Sequence, residues 1–327
     1  MGELRRQAQP GVVLPFPAVE RPPRAQPIEP ASWLANRTIL VITSPGAEES
    51  GYLEKVAALA EFSGARLRLA DCSNRAPNFD RPLARLKQRA RHLGRMLGWP
   101  VETVDVEIRT PQELRRQVED CALVCIARSA RSWRPGRRER DLLHALIALR
   151  TRPVLAMGNG KLRGHGGYVS ALVPVSLGPH SHELLHWARR MAPSAPVEVL
   201  HVTEFQEHAG GYRASAPPSV LERMQRRSWM ALGQRLRLLA QGLGDGAAGV
   251  TPTLVHGVVP DAVGRRHIGG CHDLIVVGIG PRRRWLPFPW PTLAQYLARW
   301  LSGDVLVIPQ PPARAEAPLK GQWGFWT

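Results

Sequence analysis

Leu123-Val124-Cys125-Ile126 and Leu274-Ile275-Val276-Val277 are apolar runs set 151 residues apart, and the same offset lays Val154-Leu155-Ala156-Met157 on Val305-Leu306-Val307-Ile308. Two matched runs at one repeated interval indicate an internal duplication. Each run is continuous rather than alternating, which suits a strand covered on both faces.

The sequence around the runs alternates strand-like and helix-like stretches. In the first half, Thr38–Thr43 and Arg66–Ala70 read as strands, with Glu54–Phe62 as a helix between them. Pro82–Leu97 reads as a helix because Leu83, Leu86, Ala90, Leu93 and Leu97 share one face. Val101–Ile108 is expected as a third strand, Gln112–Glu119 and Arg140–Leu149 as helices. The second half repeats the order. Ala171–Ser176, Val197–Val202, Thr253–Gly257, Leu274–Gly278 and Val305–Ile308 are expected as strands. Helices are expected from Ser181, from Pro218, after Pro260 (a short one) and from Thr292. Such alternation implies parallel strands with crossover helices on both faces.

The remaining segments divide the chain. A Pro-rich N-terminal tail (1–35) precedes the first unit (36–158), and a Gly-rich linker (159–167) leads to the second (168–310). Residues 311–327 form a tail ending in Trp323-Gly324-Phe325-Trp326-Thr327. Four cysteines without paired zinc spacing exclude a disulfide framework. No apolar run reaches the length of a membrane span, and prolines interrupt the stretch where a signal peptide would need its apolar region. A cytoplasmic protein without membrane insertion is the expectation.

The net charge is +17, with a pI near 11.1. Nucleic acid, an anionic membrane or an acidic protein surface would each suit it. So would an Arg-favouring, GC-rich genome, which carries no functional meaning. Residues 128–140 hold six arginines, Arg131, Arg134, Arg137 and Arg138 among them, around Trp133. Residues 281–291 read Pro-Arg-Arg-Arg-Trp-Leu-Pro-Phe-Pro-Trp-Pro, giving Arg282, Arg283, Arg284, Trp285 and Trp290. Both stretches follow strands at the carboxyl edge of a parallel sheet, where doubly wound folds bind ligands. Arginine beside tryptophan suits phosphate forks, base stacking or a protein interface. With Trp323 and Trp326 of the tail, these residues are the candidate surface for a protein partner or polyanion.

His182-Glu183-Leu184-Leu185-His186 matches a zinc-protease pattern, but its place on the first helix of an α/β unit gives it no third ligand from a second helix. No G-x-S-x-G occurs, and no Cys/His constellation marks a nucleophile.

The second half resembles the universal stress proteins. The resemblance rests on Ala171-Leu-Val-Pro-Val-Ser-Leu-Gly-Pro-His-Ser, on His201-Val after strand two, on Asp273-Leu-Ile-Val-Val-Gly, and on Asp304-Val-Leu-Val-Ile-Pro. The repeat register extends it over most of residues 36–310, as a tandem pair. It implies an α/β fold of two Rossmann-like, doubly wound, parallel five-stranded sheets of order 3-2-1-4-5, with Pro-rich tails. Because domains of this family pair through their last strand, it also implies an intramolecular pseudo-dimer, and leaves a homodimer open.

ATP-binding members of the family place an acid at the end of strand one and a loop G-x-x-G-x9-G-[S/T] after strand four. Here the acidic position is Ser176, and the loop positions read Gly278, Pro281, Pro291 and Thr292. Proline has no N–H to offer a phosphate. In the first half, Thr43 takes the acidic position, and Ala127, Ala130, Arg140 and Asp141 take the loop positions. Ser176, Val202, Gly278, Gly280 and Thr292 are therefore the nucleotide or anion candidates. The implied function is non-catalytic binding in stress adaptation, with no cofactor required. An ATP-regulated switch through the second half and nucleic-acid binding through the Arg/Trp loops are the alternatives.

Overall fold

The computed structural model describes residues 34–43, 51–71, 82–104, 111–128, 137–158, 167–203, 218–243, 249–280 and 292–310. The first half runs β1 (Thr38–Thr43), α1 (Tyr52–Ser63), β2 (Arg66–Asp71), α2 (Pro82–Leu97), β3 (Glu102–Val104), α3 (Pro111–Glu119), β4 (Leu123–Ala127), α4 (Arg137–Leu149) and β5 (Val154–Met157). The second runs β6 (Ala171–Pro174), α5 (Ser181–Met191), β7 (Val197–Thr203), α6 (Pro218–Gln241), β8 (Val250–His256), α7 (Val259–Gly270), β9 (Leu274–Ile279), α8 (Leu293–Trp300) and β10 (Asp304–Pro309).

The strands form one sheet, ordered β3-β2-β1-β4-β5-β10-β9-β6-β7-β8. Each half reads 3-2-1-4-5 in its own numbering and is parallel within itself. The expectation of two separate five-stranded sheets is corrected at the seam. There β5 and β10 pair antiparallel, with Val305 opposite Ala156 and Val307 opposite Val154. Two apolar last strands left as open edges would expose unpaired backbone groups, and joining them removes both edges at once. Of the remaining edges, β8 carries Pro252, which an edge strand tolerates on its unpaired side.

The seam makes the halves run in opposite directions, so their strand carboxyl edges face opposite ends of the sheet. Continuous apolar strands bury both faces. Val56, Leu93, Leu185 and Leu236 of α1, α2, α5 and α6 cover one face. Leu114, Leu146, Val263 and Leu297 of α3, α4, α7 and α8 cover the other.

Several boundaries move. Helix α4 begins at Arg137 rather than Arg140, and α7 is a full 12 residues rather than a short helix. β6 stops at Pro174, two residues before the expected end, and β3 is described only to Val104. β8 opens at Val250, across Pro252.

Candidate functional site

The carboxyl edge of the second half is assembled by strand register. Val173 pairs with Val199 and Pro174 with Leu200, so Ser176 and Val202 stand level beyond the end of β6. Leu172 pairs with Ile275, which brings the end of β9 to the same height. The topology thus sets Ser176, Val202, Gly278 and Gly280 along one edge. Thr292 stands apart as the N-cap of α8.

Two features fill this edge. Gln310 follows β10, its backbone N–H donating to Ile279 O at 3.0 Å. Its side chain lies directly over Gly278, so that a methyl placed there would overlap the amide, and its Oε1 approaches Gly280. The glycines therefore admit a side chain of the same protein where a phosphate would need bare backbone. Thr292 is committed as well. Its hydroxyl accepts from Gln295 N at 3.3 Å, while Thr292 N donates to Gln295 Oε1 at 2.9 Å, a reciprocal capping box. Nothing in the sequence singled out Gln310; a lone polar residue after a strand has no pattern.

In the first half, Thr43 is buried and donates to Ala70 O at 3.3 Å. Arg131, Trp133, Arg134, Arg282, Arg283, Arg284, Trp285, Trp290, Trp323 and Trp326 lie outside the described residues, whereas Arg137 and Arg138 begin helix α4. Arg128, counted with the first basic run, turns inward. It donates to Ala298 O at 3.0 Å and to the carbonyls of Leu301 and Gly303 across the seam.

The His182/His186 pair gathers no metal set. His182 packs against Gly242, and His186 is exposed. Glu198, the nearest acidic candidate, is bound elsewhere, by Arg266 and by His272 Nε2 at 3.0 Å. Among the described residues no group of three or more His, Cys, Asp or Glu could hold a metal. No described helix is long and apolar enough to cross a membrane.

His267 and His201 are expected to give this half a pH dependence. His267 is 4% exposed, and its Nε2 accepts from Gly303 N at 3.3 Å, an arrangement that needs the neutral ring. Burial lowers its pKa, helped by the neighbouring His272 and Arg128. Burial lowers His201 too. Depressed histidine pKa values mean the unfolded chain binds more protons below about pH 6.5, so stability is complete above that value and falls as the pH drops towards 5. Urea midpoints at pH 7.5, 6 and 5 check it, and His267→Gln, which keeps an acceptor but does not titrate, should flatten the slope. A midpoint that holds or rises on acidification contradicts the account. Glu198 responds lower still. Burial would raise its pKa, but the hydrogen bonds from His272 and Arg266 outweigh this and hold it below the usual carboxylate value.

Residues 167–309 match the model of the universal stress protein family. No curated protein matches the chain. Among solved structures, the chain is similar to a universal stress protein from Archaeoglobus fulgidus DSM 4304, with 12% identity and a TM-score of 0.59, over 85% of this chain and 97% of that one. It is similar also to a functionally unknown protein from Pseudomonas aeruginosa PAO1, with 18% identity and a TM-score of 0.57, over 85% of this chain and 94% of that one. At such identities the likeness establishes the fold, an α/β architecture on a mostly parallel sheet. The second half carries a universal stress protein family domain.

Proposed function

We propose that this chain is a non-catalytic tandem stress protein, two universal stress domains joined in one sheet, that acts by binding a partner rather than by turning over ATP. The observation that carries the reading is Gln310, whose amide occupies the space over Gly278 and Gly280. Pro281 and Pro291 supply no N–H to a phosphate, and the Thr292 hydroxyl is already shared with Gln295. A family-type loop altered in these ways has lost the donors that hold a triphosphate. The net charge of +17 favours an acidic protein surface as the partner, approached through the Arg/Trp loops.

The test is equilibrium dialysis of the full chain against labelled ATP, with acid extraction of the purified protein. No nucleotide should be recovered, and no saturable binding should appear up to about 1 mM. Stoichiometric ATP in either experiment would replace this reading with the nucleotide-regulated switch.

A further inference from the structure

The seam has two flanks on the face covered by α1 and α5, and the 151-residue offset relates them. Ser302, Gly303, Asp304 and Pro309 occupy the register positions of Thr151, Arg152, Pro153 and Gly158. Tyr168 and Leu34 correspond as well, because Tyr168 N donates to Met191 O at 3.2 Å and Leu34 N to Ser63 O at 3.3 Å, each at the end of the matching helix.

One flank is filled. Asp304 accepts from Lys55 Nζ at 2.9 Å, from Gly158 N at 2.7 Å and from Tyr168 OH at 2.9 Å, and all three side chains are buried. On the other flank Pro153 replaces the carboxylate, Leu34 the phenol, and Ile279 the register position of Arg128. That flank holds a cavity of about 300 Å³.

The cavity is lined by Arg37, Arg152 and Arg190, against the single acid Glu183. Glu183 leans towards His180 Nδ1, 3.9 Å away. Arg152 is braced by Glu119 O, to which its Nη2 donates at 2.6 Å. The Arg190 guanidinium lies 5.7 Å from the centroid of the Trp187 ring, which forms an apolar wall. Arg37, Arg152 and Arg190 are all exposed, so their guanidinium groups are open to an anion entering the cavity.

We propose that this cavity is a binding site for a small metabolite bearing an oxyanion, phosphate or carboxylate, held by Arg37, Arg152 and Arg190. Guanidinium forks match either oxyanion. The volume is at the lower end for small-molecule sites, so the ligand is compact. The site is formed only where the two halves meet, since its lining comes from both.

Calorimetric titration of the full chain with pyrophosphate and, separately, citrate tests this and separates a phosphate from a carboxylate ligand. One-to-one binding of at least one probe is expected. Arg37→Ala with Arg190→Ala should weaken it about 10- to 100-fold. Trp187→Phe should remove the probe-induced fluorescence change, while Arg265→Ala, an exposed arginine on α7 over the opposite face of the sheet, should leave binding unchanged. Melting curves establish that each variant is folded before it is titrated. The proposal is overturned by no saturable binding of either probe up to about 10 mM, by affinity indifferent to Arg37 and Arg190, or by non-stoichiometric binding that simply tracks salt.

Discussion

Asp304→Ala is expected to cost about 3–5 kcal/mol of stability, the range for removing one partner of a buried ion pair. Asp304 is 2% exposed and Lys55 6%, so water does not replace the lost carboxylate. The substitution strands the Lys55 ammonium and withdraws the acceptor from Gly158 N and Tyr168 OH together. Against a typical total of roughly 5–15 kcal/mol, that is a large fraction of the fold. Lys55→Met should cost less, since Asp304 then keeps two neutral donors. The double variant Lys55→Met/Asp304→Leu should recover most of the loss, because a buried pair exchanged for apolar groups is often near neutral. Urea unfolding at pH 7.5 reads all three. A loss below about 1 kcal/mol for Asp304→Ala would show that the seam is held by strand pairing and apolar contact alone.

The pair also explains why the first unit ends at glycine. A Cβ on Gly158 would collide with Ser302 O and the Arg128 guanidinium, and Gly158 must present both its N–H and its carbonyl to the Lys55–Asp304 pair. Close backbone approach, rather than flexibility, accounts for this residue.

What could be read from the sequence was whatever repeats at short range. Leu86, Ala90, Leu93 and Leu97 are all buried, as their helical spacing requires. The matched runs at 123 and 274 became β4 and β9, each the fourth strand of its half. The contacts that define the seam left no such trace. Lys55 and Asp304 are 249 residues apart, and no periodicity links one lysine on an amphipathic helix to one aspartate before a strand. Gln310 is legible only once β10 fixes where its side chain falls. The open cavity depends on residues missing from one of two related flanks, which appears only when both are superposed by register. Arg128 was read by composition, as one of a basic run, although position in the chain gave it a different task.

Arg128→Ala is expected to lower stability by about 1–3 kcal/mol, as the loss of several charge-assisted bonds to part-buried carbonyls implies. Arg128 ends β4, and its guanidinium reaches the carbonyls of Ala298, Leu301 and Gly303, with Ser302 O at 3.4 Å. Ala298 and Leu301 lie at the C-terminal end of α8, where carbonyls lack intrahelical partners and the helix dipole is negative. The arginine therefore caps a helix of the opposite half and ties the turn before Asp304 to β4. Burial lowers its pKa, and the Asp304 charge pulls it back up. Arg128→Lys should rescue less than half of the loss, since an ammonium cannot reproduce a planar fork set across several carbonyls. The salt dependence of any binding to a polyanion should be the same for Arg128→Ala as for the parent chain, because the guanidinium is already engaged by carbonyls of the seam. If instead the variant melts like the parent chain but binds a polyanion with a shallower salt slope, Arg128 belongs with the basic surface rather than with the seam.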